Sequence, residues 1–364
     1  MLYVRVRESA CAFDVSNPQV QAIGRGGQPM TSKQEPLVSV VTPVFNGERH
    51  LRECIESVLA QTYSRWDHTI IDNCSTDRTL DIAREYAASD HRIRIHRNET
   101  FVRVIENFNI AFRQISPESK YCKPLAADDM LLPECLEKMV RVAEEHPSVA
   151  IVGAYGLYSR AEMGVYGRGV PYGQLVLPGR ELCRAYLLGE GPPVFGAPTF
   201  TLFRADIVRS RYAFYNESNF HADSEASLEF LEHHDFGFVQ QILTFTRVED
   251  GSLTSFSQSV NTYLSHRLYV LVKYGPRHLT AEELTREIRS QLREYYRYLG
   301  WQVTKRRDRK FWSFHRGKLA TLGYPLSIAR LAANVVYYLL ALVFNPKKMA
   351  EGVVRRLRRR LSKP

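Results

Sequence analysis

Leu37-Val38-Ser39-Val40-Val41-Thr42-Pro43-Val44-Phe45-Asn46-Gly47 and, one helix later, Trp66-Asp67-His68-Thr69-Ile70-Ile71-Asp72-Asn73-Cys74-Ser75-Thr76-Asp77 decide the fold of this chain. Each stretch opens as a short β-branched run and ends in residues that favour turns. Between them, Glu48 to Gln61 places Leu51, Ile55, Val58 and Leu59 at helical spacing. The unit therefore reads strand, helix, strand. Working outward, Ser75-Thr76-Asp77 offers N-caps for an amphipathic helix to about Ala88, and Ile93 to His96 alternates as a strand. Val102 to Ile115 reads as helix, Tyr121 to Ala126 as strand, Pro133 to about His146 as helix, and Val149 to Gly153 as strand. Such alternation predicts an α/β, Rossmann-like, mostly parallel sheet with helices on both faces. The Gly/Pro/Tyr-rich residues 153–200 read as loops, over a cleft or simply on the surface. Phe236 to Phe245 reads as a last strand, and from about Thr262 the chain reads as helical and increasingly basic.

Two acidic clusters follow β-like runs. The first is Asp72 with Asp77, the second Asp128-Asp129 after Tyr121 to Ala127. The C-terminal ends of strands are where open α/β sheets bind ligands. Divalent cations take carboxylate oxygens and bridge to phosphates, so the pattern points to a phosphate-bearing substrate. Phe45 can lie flat against a base beside the Thr42-Pro43-Val44 strand end, and Asp72 can accept a hydrogen bond from a pyrimidine N3–H. Adjacent carboxylates are costly unless a positive charge lies beside them. A metal-bound nucleotide supplies one, with Asp129 on the metal and Asp128 facing a ribose hydroxyl. The plainer alternatives are that Phe45 is core, Asp72 a turn former, and Asp128-Asp129 a helix cap.

The chain has 364 residues and a net charge of +10. From Trp301 to Pro364 there are 16 Lys/Arg against Asp308 and Glu351, a net of +14, which leaves residues 1–300 at −4. The basicity belongs to a tail, so no nucleic-acid partner is expected. The six cysteines form no CxxC pair and read as reduced thiols. Residues 1–35 carry no clear periodicity and read as a leader, with Met30 a candidate start.

At this point a resemblance can be stated. The stretches VSVVTPVFNGERHLRECIESVLAQTY, IIDNCSTDRTLDIA, Asn109-Ile110-Ala111 and LAADDMLLPECLEKMV resemble the family 2 glycosyltransferases, which have the GT-A fold. The resemblance covers about residues 37–140. It implies an NDP-sugar donor, Mn²⁺ or Mg²⁺, inversion at the anomeric carbon, and a saccharide or lipid-linked acceptor. Asp72 falls on the family's base-reading aspartate and Asp128-Asp129 on its DXD-type motif, with Ala126 at the motif's first position. Asp223 in Phe220-His221-Ala222-Asp223-Ser224-Glu225 is the best match to the family's general base, with Glu225 next and His221 a neighbour. Where relatives place a metal-binding histidine after Arg-x, this chain has Arg247-Val248-Glu249, making Glu249 a further candidate ligand. Gly196-Ala197-Pro198-Thr199 is either a backbone approach to the donor sugar or a plain turn. The competing classes are a sugar-phosphate nucleotidyltransferase, which would carry a Gly-rich phosphate loop, and a non-catalytic nucleotide-sugar binder.

The expected boundaries are a leader over 1–35, a glycosyltransferase domain over 36–255, and a helical basic region over 256–364. Leu331–Phe344 is apolar for only 14 residues, short of the ~20 needed to span a bilayer. With Tyr337-Tyr338 and the cations Lys347, Lys348 and Arg355 to Arg360, it reads as an interfacial helix on an anionic membrane. The expected location is cytoplasmic, peripheral on the inner face of the membrane.

Overall fold

The computed structural model describes residues 35–159, 163–247, 257 and 259–344. The opening strand-helix-strand unit forms as β1 (Val38–Val44), α1 (Leu51–Leu59) and β2 (Trp66–Asp72). It continues through α2 (Thr79–Ser89), β3 (Ile93–Arg97), α3 (Val104–Arg113), β4 (Tyr121–Pro124), β5 (Met130–Leu131), α4 (Cys135–Glu145) and β6 (Val149–Ser159). The chain then adds β7 (Met163–Tyr166), β8 (Val176–Leu177), α5 (Gly179–Leu188), β9 (Thr201–Arg204), α6 (Ala205–Arg209), α7 (Ala222–Phe230) and β10 (Asp235–Arg247). Four helices close it: α8 (Thr262–His278), α9 (Ala281–Val303), α10 (Arg309–Thr321) and α11 (Ile328–Val343).

The strands form one sheet in the order β3-β2-β1-β4-β9-β6-β10-β5, with β7 on β6 and β8 on β10. β1, β2, β3 and β4 run parallel, as do β6 and β10; β9 lies antiparallel between β4 and β6. Register sets what stands at the strand ends. Val44 pairs with Asp72, and Asp72 with Arg97, so β1, β2 and β3 end side by side.

Each face of the sheet has its own core. On one, α1, α2 and α4 cover Val38, Val40 and Ile70, with Leu51, Ile55 and Val58 of α1 facing inward. On the other, Phe108 and Phe112 of α3 join Leu182 of α5, Leu228 of α7 and Val270, Leu271 and Tyr274 of α8. Helix α8 thus belongs to the main core. A third cluster of Leu268, Leu292, Tyr295, Leu299, Phe311 and Leu319 binds α8, α9 and α10 together.

Residues 153–200 correct the loop expectation: the segment carries the end of β6, β7, β8 and α5. Its glycines misled because two of them sit inside β6 where rings fill the side-chain space. A Cβ on Gly156 would lie 1.6 Å from Phe200, and one on Gly153 would lie 2.7 Å from Phe236. These glycines mark close packing inside a strand.

Candidate active site

The candidate site begins at the turn after β1. Asn46 has φ 50, and Gly47 cannot carry a Cβ, which would meet Val44 at 2.6 Å. The Asp72-to-Asp77 loop clamps this turn. Ser75 Oγ accepts Asn46 N–H at 2.9 Å, Thr79 Oγ1 accepts Gly47 N–H at 2.7 Å, and Asp77 accepts Glu48 N–H at 3.1 Å. Asn46 Oδ1 accepts Thr76 N–H at 2.8 Å in return. Of Ser75, Thr76 and Asp77, expected to cap α2, Ser75 and Thr76 bond across to the neighbouring turn, while Asp77 Oδ1 accepts the N–H of Thr79, the first residue of α2, at 3.0 Å.

The clamp leaves Phe45 exposed, 48%, with its ring 4.8 Å from Phe101, itself 60% exposed. Phe45 is therefore not core. Pro43 is buried within β1 opposite Ile71, which removes its ring from the surface and leaves Phe45 as the aromatic of this turn. Phe101 went unnoticed in the sequence, although Asn98-Glu99-Thr100-Phe101 follows β3 much as Phe45-Asn46-Gly47 follows β1. An amide network holds its loop over β2. Asn73 bonds both backbone groups of Val102, at 2.9 and 3.0 Å, and Asn98 donates to Asn73 and Asn107, each at 2.9 Å.

Asp72, the last residue of β2, is fully buried. Its Oδ1 accepts Ser75 N–H at 3.2 Å, and Arg97 approaches Oδ2 at 3.4 Å without making a hydrogen bond. Oδ2 is left with no hydrogen-bond partner. A buried acceptor in that state favours a donor brought by a ligand.

Asp129 is also buried, 3% exposed, but well supplied. Thr199 Oγ1 and Thr246 Oγ1 donate to Oδ2 at 2.5 and 3.1 Å, and Arg247 N–H donates to Oδ1 at 3.1 Å. Arg247 also donates to the Asp128 carbonyl at 2.6 Å and to Glu53 of α1. Burial, then the charge of Asp128, pushes the Asp129 carboxyl up to about 7 despite these donors. A carboxylate pair that would rather hold a proton than a second negative charge suits a cation. Among the described residues no group of three or more His, Cys, Asp or Glu could hold a metal. A site of this kind therefore offers one or two carboxylates, which is what Mg²⁺ accepts when phosphates supply the rest. Glu249 lies outside the described residues.

Lys123, buried in β4 and not anticipated from sequence, donates to the carbonyls of Thr199 and Thr201 at 2.5 and 3.0 Å. It fixes the short 3₁₀ turn Pro198–Phe200, whose Thr199 reaches Asp129. At the other end of the same segment, Ala197 N–H donates to Asp223 Oδ2 at 2.6 Å. Gly196, at φ +95, passes Asp223 so closely that a Cβ would lie 3.1 Å from Oδ2. Ala197 holds φ 56, a strained value for a residue with a side chain. Residues 196–199 thus tie Asp223 to Asp129, a role beyond a plain turn.

Glu225 has a different role. Only 2% exposed, it accepts from Lys273 at 2.6 Å, Asn219 at 2.7 Å, Asn216 at 3.0 Å, and the hydroxyls of Tyr269 and Tyr274. Surrounded by donors, it fastens α7 to α8 and is not available as a base. His221, at the N-cap of α7, bonds Thr262 at 2.9 Å and faces His266 at 4.5 Å. Burial lowers its pKa, and the charge of Asp223 pulls the other way.

Residues 39–209 match the model of Glycosyl transferase family 2. EpsE of Bacillus subtilis (strain 168), a proposed glycosyltransferase, is 34% identical over 158 residues, covering 42% of this chain and 56% of EpsE. TuaG of the same organism, a proposed teichuronic acid biosynthesis glycosyltransferase, is 31% identical over 130 residues, 35% of this chain and 49% of TuaG. The chain thus spans about half the length of these curated relatives. Among solved structures, Staphylococcus aureus TarS 1–349 in complex with UDP-GlcNAc aligns with a TM-score of 0.57 at 15% identity, over 78% of this chain and 80% of TarS. At that identity the likeness concerns the fold, and it is the GT-A fold. With the strand-end site in place, residues 39–209 of the chain are similar to the family 2 glycosyltransferases.

Proposed function

We propose that the protein transfers a sugar from a nucleoside diphosphate donor to a hydroxyl of a lipid-linked saccharide or polysaccharide, inverting the anomeric carbon. The observation that carries this reading is the segment 196–199, hydrogen-bonded to Asp223 at one end and Asp129 at the other. It sets a proton acceptor and a diphosphate-side carboxylate on one rigid support, as a single displacement requires.

The base is read by Asp72. Its unpartnered Oδ2 takes a ring N–H, and Arg97 beside it can donate to a neighbouring ring carbonyl. Uracil and thymine present N3–H flanked by carbonyls; cytosine presents an acceptor at N3 and is refused. Phe45 and Phe101 supply the flat apolar surface. TarS and the GDP-mannose- and Mn²⁺-bound mannosyltransferase PcManGT are nucleotide-sugar proteins of similar fold, which supports the donor class. Asp129 would hold Mn²⁺ or Mg²⁺, with Glu249 a further candidate and Asp128 facing a ribose hydroxyl; the ion would offset charge developing on the departing diphosphate. Asp223 takes the proton of the acceptor hydroxyl as its oxygen bonds to C1 and the bond from C1 to the diphosphate oxygen breaks. Calorimetry with UDP, dTDP and CDP in Mn²⁺ tests the reading. UDP or dTDP should bind and CDP should not; equal binding of CDP sinks the assignment of Asp72.

The acceptor is expected at a membrane. Among the described residues no helix is long and apolar enough to cross one. Helix α11 nonetheless leaves Ile328, Val336, Tyr337, Leu339, Leu340 and Phe344 exposed. Next to the tail's cations, such a face fits the surface of an anionic bilayer. Replacing Leu339 and Leu340 by Glu should abolish flotation with anionic vesicles; unchanged flotation rejects this part.

A further inference from the structure

Helices α9 and α11 border an open groove of about 610 Å³ that the transferase chemistry does not use. Arg289 and Arg293 of α9 stand one turn apart along it, and α11 contributes Arg330. The buried Leu292 and Tyr296 also line it. No acidic side chain does. Neighbouring arginines are paired: Arg184 with Glu283, Arg277 with Glu232 and Arg286 with Glu287. Arg289, Arg293 and Arg330 are exposed, and among the described residues no acid pairs with any of them. Like charges around one space repel unless an anion lies among them.

The two helices hold these cations at a set separation. The Tyr296 hydroxyl accepts the N–H of Ser327, the N-cap of α11, at 2.8 Å. Gly300 of α9 lets the helices meet, since a Cβ there would lie 2.9 Å from the Cβ of Asn334. Further along, the Arg297 guanidinium lies 6.0 Å from the centre of the Tyr337 ring.

What adjoins the groove indicates its occupant. Arg330, Ala333 and Tyr337 recur at three- and four-residue spacing, so they share one stripe of α11. Val336 and Leu340 lie beside that stripe and are exposed, as Tyr337 is. The basic groove therefore runs into the apolar face of the same helix. A free phosphate would meet three solvated side chains and gain little from ordering them. A phosphate at a bilayer surface comes with acyl chains that the apolar face can enter.

We propose that the α9–α11 groove is a headgroup site for an anionic phospholipid. The guanidinium forks of Arg289, Arg293 and Arg330 take the phosphate oxygens, a geometry that arginine matches and lysine does not. Tyr337 and Leu340 then sit at the level of the upper acyl chains. The proposal rests on the membrane reading of α11 and is independent of the transferase chemistry. It adds to that reading a defined phosphate contact, separate from the cations of the tail.

Flotation of the full-length protein tests it. The vesicles are phosphatidylcholine alone, phosphatidylcholine with phosphatidylglycerol, and phosphatidylcholine with a fatty acid at equal surface charge. The fatty acid supplies negative charge without a second phosphate. The unaltered protein should bind the phosphatidylglycerol vesicles several-fold better than the fatty-acid vesicles. Arg289→Ala with Arg293→Ala should weaken that binding on the order of 25-fold, at roughly fivefold for each cation at an anionic surface. Arg309→Ala with Lys310→Ala removes the same charge from the exposed start of α10 and should matter far less. Arg330→Lys keeps the charge, loses the fork, and should still weaken binding measurably. Equal losses in the two double variants, or equal binding of the two anions, overturn the site in favour of diffuse attraction. Glycerol 1-phosphate bound as tightly as the vesicles would overturn the lipid assignment. If the unaltered protein floats with none of the vesicles, the membrane reading of α11 fails and takes this site with it. Unaltered flotation of the arginine variants defeats this site alone.

Discussion

The strand-end region around Asp72 and the α7–α8 region around Asp223 are organised by different forces. At Asp72 the positions are set by register: Val44, Asp72 and Arg97 are successive partners across three parallel strands, and short polar side chains clamp the turns. At Asp223 they are set by tertiary ties. The Gly196–Thr199 segment reaches Asp223 from 26 residues away in sequence, and Lys273 reaches Glu225 from 48. A backbone register is repeated along a whole sheet and tolerates local change. The tie from the Gly196–Thr199 segment to Asp223 is one hydrogen bond, so the Asp223 region should be the more easily broken of the two.

The largest expected effect falls on that side. Asp223→Asn keeps the hydrogen bond from Ala197 in reach but removes the proton acceptor. Turnover should fall by about 10²–10⁴-fold, the usual worth of a general base, with nucleotide affinity unchanged. Single-turnover kinetics over a pH range measure it, and full activity in this variant would move the base elsewhere. Asp72→Asn tests the other region. Replacing an acceptor oxygen with an N–H₂ group, or rotating it, costs a charged hydrogen bond to the base, roughly 10–100-fold in UDP affinity. Turnover at saturating donor should change little. A loss of turnover without a loss of affinity would mean that the two regions are not separable.

The same contrast explains what the sequence made legible. Strands β1, β2 and β4 and the acidic clusters after them stand out because register and turn chemistry are local. Phe45 stood out for the same reason. Phe101 escaped because its loop is held by Asn73, Asn98 and Asn107, whose meeting depends on β2 and β3 being neighbours. Lys123 reads as a polar interruption of a strand until the Thr199 and Thr201 carbonyls are seen to meet it. Asp223 and Glu225 are two residues apart on one helix and similar in chemistry. Only the packed structure shows Glu225 enclosed by donors from α8 while Asp223 faces Gly196.

Lys273→Met sharpens that distinction. The ammonium is partly exposed while Glu225 is buried, so its loss strands a carboxylate that keeps only neutral donors. Breaking a buried pair costs ~3–5 kcal/mol; discounted for solvent at Lys273, about 2 kcal/mol is expected. The melting temperature should drop by several degrees while the turnover of the folded fraction stays near normal. A selective loss of turnover with an unchanged melting temperature would return Glu225 to the chemistry.

A graded response to acid compares the two regions through buried histidines. His68 lies in β2 with its Nε2 2.8 Å from Thr42 Oγ1, and burial pushes its pKa down to about 3. His315 lies in α10 with its Nδ1 2.7 Å from the Tyr295 hydroxyl, and burial pushes it down to about 4. Both are lowered from about 6.5 in the unfolded chain, so the unfolded state binds protons first as pH falls. Stability is full above pH 6.5 and declines below it, toward pH 4 for His315 and toward pH 3 for His68. The slope is at most about 1.4 kcal/mol per pH unit for each histidine. His68 is held in a sheet covered on both faces, whereas His315 belongs to the small cluster joining α8, α9 and α10. Hydrogen exchange between pH 7 and 5 should therefore show α10 amides losing protection before those of β2, with His315→Gln flattening the α10 response alone. Simultaneous loss in both regions would show that the helices and the sheet open as one unit.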